Sequence, residues 1–399
     1  MPLSTTTQPY SDRVATAPAQ KTAPKAVAAW LFVCCGLIFL MVVVGGITRL
    51  TLSGLSITEW NPVIGVVPPL THAQWAAEFA RYRQVPEYRA VHYGISLADF
   101  KTLYFWEYAH RLLGRLIGFA FAVPLVWFWL RGRLPRRLAP ALAGILALGF
   151  AQGLLGWYMV ESGLVHRVEV SQYRLVAHLA LALALYAAIL WTALGLAFPT
   201  GPLRSGAAIG VARPPHPTLS PRQTGGEEKN HASDIYRPEP VSPLWRRGAE
   251  ALIALVGLTI AAGGFVAGTR AGFVYNTFPL MGGRLVPADY AQLNPFFRNW
   301  FENLAAVQFD HRVLAMTTFA SVLALWAAGL RRNLRSRARI ALWVLLGAAA
   351  LQVALGVSTL LLVVPIPLAA AHQAGAVLLL SAAIMLRHTL RHSENVCVL

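Results

Sequence analysis

Eleven histidines are spread over 399 residues, and four of them sit where a histidine is expensive to keep. His72, His92, His166, His216, His231, His388 and His392 fall in loop, linker or tail sequence, whereas His110, His178, His311 and His372 lie inside long apolar runs. An ionisable ring in such a run is costly and characteristically functional. Two imidazoles from separate helices, facing one another, form an axial pair for the iron of a b-type heme. A single ring could equally be polar glue between helices. Four at repeated positions favour ligation, and zinc fits less well because the set lacks cysteine or acidic partners. The residue four positions on is small each time (Gly114, Ala182, Ala315, Ala376), which would leave clearance for a flat macrocycle on that helix face.

Three residues before His110 stands Glu107, and three before His311 stands Gln308. Positions i and i+3 share a helix face. Gln has nearly the shape of Glu but carries no titratable proton. One site therefore has a candidate acid/base and the other has none, which suggests chemistry in the first half and a static cofactor in the second. The bland alternative is that Glu107 pairs with Arg111 or Arg115. Arg111 and Arg312 each follow a histidine, and Arg174 lies one turn before His178. A guanidinium fork suits heme propionates, although an Arg at a helix end also anchors in lipid headgroups.

Composition says what must position these residues. Apolar residues make up 56% of the chain and charged residues only 13%, against roughly 45–50% and 25% in soluble domains. The sequence predicts an all-α integral membrane protein with spans near 27–48, 108–130, 138–160, 174–197, 250–270, 307–330, 339–364 and 368–387, each close to the roughly 20 residues a crossing needs. The net charge of +17 would suggest nucleic acid in a soluble protein. Here the excess is concentrated in Arg131, Arg133, Arg136 and Arg137, in Arg331, Arg332, Arg335, Arg337 and Arg339, and in Arg387 and Arg391. By the positive-inside rule these mark the cytoplasmic face, with both termini inside and no nucleic-acid partner. The opposite loops, 49–107, 161–173 and 271–306, mix signs and lie outside.

Residues 1–26 lack the apolar core of a secretory signal and read as a disordered cytoplasmic tail. Residues 199–248, dense in Pro, Gly, Ser and charge, read as a flexible cytoplasmic linker. They separate an N-terminal four-helix bundle, 27–198, from a C-terminal one, 249–388, followed by a tail, 389–399. The halves repeat. Gly45-Gly46 recurs as Gly263-Gly264 at an offset of 218 residues, Glu107-x-x-His110-Arg111 as Gln308-x-x-His311-Arg312 at 201, and Gln152-x3-Gly156 as Gln352-x3-Gly356 at 200. Four spans per unit make the repeats parallel, so the expected architecture is eight transmembrane helices in two bundles related by a pseudo-two-fold along the membrane normal. All four histidines then lie in the first turns of even-numbered spans, near the outer face. Cys34, Cys35 and Cys397 have no metal-ligand spacing and read as small apolar residues.

Taken together, Gly45-Gly-Ile-Thr-Arg-Leu-Thr-x-Ser-Gly-Leu-Ser56, Glu107-x-x-His110-Arg111, Tyr173-Arg174-x3-His178, Asn276-Thr-Phe-Pro279, His311-Arg312 and His372-Gln373 resemble the heme A synthase family over nearly all of both halves. The resemblance implies an enzyme that oxidises the C8 methyl group of heme O to a formyl group, making heme A for a-type terminal oxidases. It implies that His110 and His178 flank the substrate heme, that His311 and His372 ligate a resident heme b, and that Glu107 is the essential carboxylate. Some members carry a cysteine pair in an outer loop, and none of the three cysteines here lies in one. The expected setting is membrane lipid in a bacterial inner membrane, or alternatively a mitochondrial inner membrane. Heme O synthase, oxidase assembly factors, an unidentified electron acceptor and a homo-oligomeric state are compatible partners. The competing readings are a diheme b-type cytochrome that only carries electrons, which leaves the Glu107/Gln308 difference unexplained, and a repeat-built transporter, which would place its site at the midplane.

Overall fold

The computed structural model describes residues 24–59, 64–166, 169–198 and 242–393. In chain order the helices are α1 (Pro24–Leu50), α2 (His72–Tyr82), α3 (Pro86–Ala90), α4 (Leu97–Leu130), α5 (Ala139–His166) and α6 (Gln172–Ala197). After the 199–241 stretch come α7 (Pro243–Thr269), α8 (Asn299–Glu302), α9 (Leu304–Leu330), α10 (Ser336–Leu361) and α11 (Ile366–Thr389). Among the described residues, α1, α4, α5, α6, α7, α9, α10 and α11 are the eight helices long and apolar enough to cross a membrane. They match the eight expected spans. Their outward faces are apolar: Phe119 is 68%, Phe150 71% and Ile340 63% exposed, a surface suited to lipid rather than water.

Most of the expected N-terminal tail and linker, 1–23 and 199–241, lies outside the described residues, as does 394–399. Helix α7 begins at Pro243, inside the stretch read as linker, with the Ser242 side chain accepting from the Leu244 N–H and Pro at the first helical position, a start that costs no hydrogen bond.

Within the first half α1 packs on α4 and α6, and α5 on α4 and α6; within the second, α7 packs on α9 and α11, and α10 on α9 and α11. The halves meet where α1 touches α11, α6 touches α7 and α6 touches α11. Exchanging the halves turns the first contact into the second and leaves the third unchanged, as a two-fold relation requires. This pattern is compatible with two related bundles side by side.

The interior is filled unevenly. Toward the end that bears the arginine-rich loops, large side chains such as Leu31, Phe128, Leu142, Leu190, Leu345 and Leu386 close a continuous core. Cys34 and Cys35 are buried in it, as their apolar reading anticipates. Toward the other end the interior holds the four histidines and faces of glycine.

Helix α4 differs from its expected span. It runs 34 residues, about 51 Å at 1.5 Å per residue, and so overreaches a hydrocarbon layer of about 30 Å. Its extra turns precede residue 108 and start from a capping box: Ser96 Oγ accepts from the Asp99 N–H at 3.2 Å while Asp99 accepts from the Ser96 N–H at 3.1 Å. His110 therefore sits more than three turns into its helix, not in the first turns as do His178, His311 and His372. Helices α2 and α3 fold against this extension. Tyr82 and Phe100 are fully buried and stack at 5.2 Å, with Phe79 on Phe100 at 5.0 Å. The result is an aromatic lid over the first half, which includes Ile57.

Candidate active site

Each of the four half-buried imidazoles lies against a glycine on a neighbouring helix. A Cβ added at Gly45 of α1 would stand 2.8 Å from His110 Cε1, and at Gly156 of α5 it would stand 3.0 Å from His178 Cε1. In the second half the same clash would occur between Gly263 and His311 at 3.0 Å, and between Gly356 and His372 at 2.8 Å. Glycine lets the ring edge approach the helix backbone, where any side chain would displace it. Gln152 and Gln352 complete the cradles, each donating Nε2 to the backbone carbonyl of its histidine, His178 or His372, at 3.0 Å. The clearance expected from the i+4 residues has a different use at Gly114, whose open face is closed by Met41.

The rings come together in pairs, one pair per half. His311 and His372 face each other with centroids 6.5 Å apart and planes at 82°. Two metal–imidazole bonds of about 2 Å each, with the ring radii added, fill that separation. His311 Nδ1 lies 3.2 Å from the Thr259 carbonyl, a bond that keeps the proton on Nδ1 and leaves the Nε2 lone pair for a metal. Nδ1 of His110, His178 and His372 is buried without a protein partner. His110 and His178 lie within electrostatic reach of one another. Among the described residues no three of His, Cys, Asp and Glu converge on a point. The facing rings of His311 and His372, the Nε2 that His311 leaves free and the small backing residues fit a planar group held from both faces.

Glu107 is 3% exposed and receives three donors. Ser56 Oγ and the Ile57 N–H reach Oε2 at 2.8 and 2.7 Å, and Arg111 Nη2 reaches Oε1 at 2.6 Å. The ion pair foreseen as the bland alternative is thus present, and it does more than pair charges. Arg111 also donates to the Ile57 and Glu59 carbonyls at 2.9 and 3.1 Å, pinning the loop after α1 over the site. The second half repeats the clamp, its loop carbonyls at the 218-residue offset and its arginine at 201: Arg312 donates to the Tyr275 and Thr277 carbonyls at 2.7 and 2.8 Å. Gln308, however, donates Nε2 to the Tyr275 carbonyl at 3.1 Å, and its Oε1 is buried without a partner. The same loop position is held by an accepting carboxylate in one half and a donating amide in the other. Arg174 sits over the Tyr158 ring at 4.7 Å and donates to Ser162 Oγ. Asn276 of the Asn276-Thr-Phe-Pro279 loop ties the turn after α7 to α10 through the Gly272 and Leu360 carbonyls, each at 3.0 Å.

The profile of the COX15-CtaA family, described as cytochrome oxidase assembly protein, matches residues 28–384. This chain belongs to that family. It is 49% identical over 373 residues to "Heme A synthase" of Rhodospirillum centenum, covering 94% of this chain and 90% of the relative. It is 47% identical over 371 residues to the protein of the same name from Nitrosospira multiformis, covering 92% and 94%. The mouse protein "Heme A synthase COX15" is 41% identical over 378 residues, covering 93% and 83%.

In this family member the sequence motifs point to the four histidines but not to the residues that pack behind them. Gly45-Gly46 and Gln152-x3-Gly156 were legible as repeats, and their use is steric. The first glycine of each pair admits its own half's histidine, while the second faces the other half. Gly46 meets Gln373, whose Nε2 donates to the Val42 carbonyl at 2.9 Å, and Gly264 meets Val176 and Leu179. Accordingly, Gly356→Ala should tilt His372 and cut the heme content of the purified protein severalfold, while Gly347→Ala, in open space on the same helix, should not. Equal pigment content in the two variants would show that the cradle is not needed.

Proposed function

We propose that this chain oxidises the C8 methyl group of heme O to a formyl group, supplying heme A to a-type terminal oxidases. The observation that carries this reading is the inequality of two otherwise repeated sites, Glu107 against Gln308, in a chain whose relatives are named heme A synthase. A protein that only carried electrons would have no use for it. His110 and His178 hold the substrate heme from its two faces, and Glu107 accepts protons as the methyl group is hydroxylated stepwise to a gem-diol, which dehydrates to the aldehyde. Ser56, the Ile57 N–H and Arg111 keep the carboxylate at one position, which is the requirement for a base at a fixed reacting atom. The aromatic lid excludes bulk water from that carboxylate.

His311 and His372 are the residues that would hold a resident heme b. When bound, that group supplies one-electron transfer, taking electrons from the first half toward an acceptor not yet identified. Arg174, with its ring partner Tyr158, is the arginine best placed for propionate recognition. Arg111 and Arg312 serve first as loop clamps. The arginine-rich end faces the cytoplasm by the positive-inside rule, which puts both termini inside and the histidine end outside. A bacterial inner membrane suits this arrangement, as does a mitochondrial inner membrane. Heme O synthase and oxidase assembly factors are natural neighbours for such an enzyme. A homo-oligomer is compatible with its lipid-facing surface, and nucleic acid is no part of the reading.

Pigment extraction from the purified protein tests the assignment. Heme b together with heme O or heme A is expected. Heme b alone would favour the electron carrier, and a pigment-free protein would overturn both.

A further inference from the structure

We infer that Glu87, Tyr82 and His92 form a proton exit that leads from the Glu107 pocket, through the aromatic lid, to water on the loop-bearing face. The inference rests on the reading of Glu107 as the proton acceptor of the reaction. It starts from an anomaly in the lid. Glu87, on α3, is 4% exposed, and among the described residues no arginine, lysine or histidine forms an ion pair with it. Its recorded side-chain partner is the Tyr82 hydroxyl, 3.3 Å from Oε2. Burying a carboxyl in an aromatic cluster has no packing advantage over an apolar residue and is costly when the group is charged.

The hydroxyl does not end the chain of contacts. Tyr82 Oη lies 2.6 Å from His92 Nδ1, and His92, only half-buried, follows α3 beside Tyr93, which is 81% exposed. A phenol between an acid and an imidazole can donate to one and accept from the other. At the inner end, the Ile57 N–H that holds Glu107 belongs to the same lid cluster as Tyr82 and Tyr88. Glu107 and Glu87 are thus two buried carboxyls with opposite surroundings. One has three donors, a guanidinium among them; the other has a phenol. Environments as unlike as these suit two carboxyls to different tasks.

The electrostatics agree with that division. Burial, and then the negative charge of Glu107, push the Glu87 carboxyl up to about 8; Glu169 adds to the rise, while the Tyr82 hydrogen bond and Arg49 oppose it. Glu87 therefore carries a proton at neutral pH and loses it as pH rises through about 8. Tyr82 is raised by burial and by Glu87, with Glu107 and Tyr88 contributing, so it stays a phenol. His92 is lowered by burial and by Arg270, so at neutral pH its ring is uncharged and can accept. The charges around this chain are Arg49 and Arg270, both bound to Glu169 at 2.7 and 3.0 Å.

The transfer balances without any further reactant. The Glu87 O–H bond breaks as a new O–H forms on Tyr82. The original Tyr82 O–H breaks as an N–H forms at His92 Nδ1, and His92 releases its Nε2 proton to water. Glu87, now a carboxylate, is reprotonated from the Glu107 side, which returns Glu107 to its accepting form. Each turn moves one proton outward and leaves every group as it began once the phenol and the ring reset. Glu87, Tyr82 and His92 act through Glu107 and are positioning and relay residues rather than catalytic ones.

Glu87→Gln preserves shape and removes the titrating proton. Infrared spectroscopy of the purified, heme-free full-length protein should show a protonated-carboxyl band that fades as pH is raised through about 8 and is missing in Glu87→Gln. In the heme-loaded enzyme, Glu87→Gln should lower kcat at least tenfold with little change in KM and abolish the solvent-isotope sensitivity and pH dependence of turnover. Glu87→Asp should restore part of both. Retained heme b pigment in each variant reports that the protein is folded. An unchanged kcat and pH profile in pigmented Glu87→Gln would overturn the exit while leaving the role of Glu107 intact. A missing carboxyl band in the unsubstituted protein would overturn it whatever the enzyme's activity. If Glu107→Gln were fully active, the underlying reading would fail first, and that result is distinct from both.

Discussion

Glu107→Gln should leave a folded, heme-b-containing protein that forms heme A at a rate lower by roughly 10²–10⁴-fold, the usual contribution of a positioned acid/base. The substitution keeps an oxygen for the Ser56 hydroxyl and the Ile57 N–H. Arg111 keeps its bonds to the Ile57 and Glu59 carbonyls, so the loop after α1 stays in place. What is lost is the proton acceptor and the charge opposite Arg111, whose side chain is only 12% exposed. The change converts the first site into the chemistry of the second, where Gln308 stands at the repeated position. Heme O should accumulate on the enzyme. A variant making heme A at the normal rate would remove Glu107 from the reaction.

The second large effect separates the two histidine pairs. On the proposed assignment, His372→Leu or His311→Leu should abolish the low-spin spectrum of a heme b held by that pair, because the remaining ring would be a single ligand. Heme A formation should fall with it, since electrons then lack their way out. His178→Leu should instead retain heme b and lose product formation. Absorption spectra of the four purified single variants and quantitation of extracted hemes read both halves at once. Loss of heme b in His110→Leu or His178→Leu, with its retention in His311→Leu and His372→Leu, would reverse the assignment of the halves.

Much of this architecture could be read from the chain. Eight apolar runs, the arginine-rich loops and the three repeated motifs were sufficient for eight helices and a duplicated plan, because lipid demands long apolar helices whose lengths and flanks are conspicuous. The helix ends were less legible. α4 extends to Leu97 because of Ser96 and Asp99, a local hydrogen-bond signal that sits outside the apolar run and was recognisable in principle as a cap. The four candidate histidines could be found from the repeat. The glycines behind them could not be assigned, since closeness between α1 and α4, or between α10 and α11, is a tertiary fact. The same holds for the arginines. Spacing placed Arg111 and Arg312 beside the histidines, but only the folded loops reveal that carbonyls 57, 59, 275 and 277 take their guanidinium groups. Glu87 gave no signal at all, because a lone acid in a mixed-charge loop reads as solvated until the aromatic lid closes over it.

The adjacent glycines of α1 have a mechanical consequence. Successive helical residues point about 100° apart, so Gly45 touches the ring of His110 while Gly46 touches Gln373, the neighbour of His372. A single turn of one helix is therefore the spacer between the two pairs of rings. Gly264 performs the reciprocal task against the residues flanking His178. If the halves exchange electrons as proposed, the gap between them is set by the thickness of a bare backbone, and a methyl group at either position would widen it.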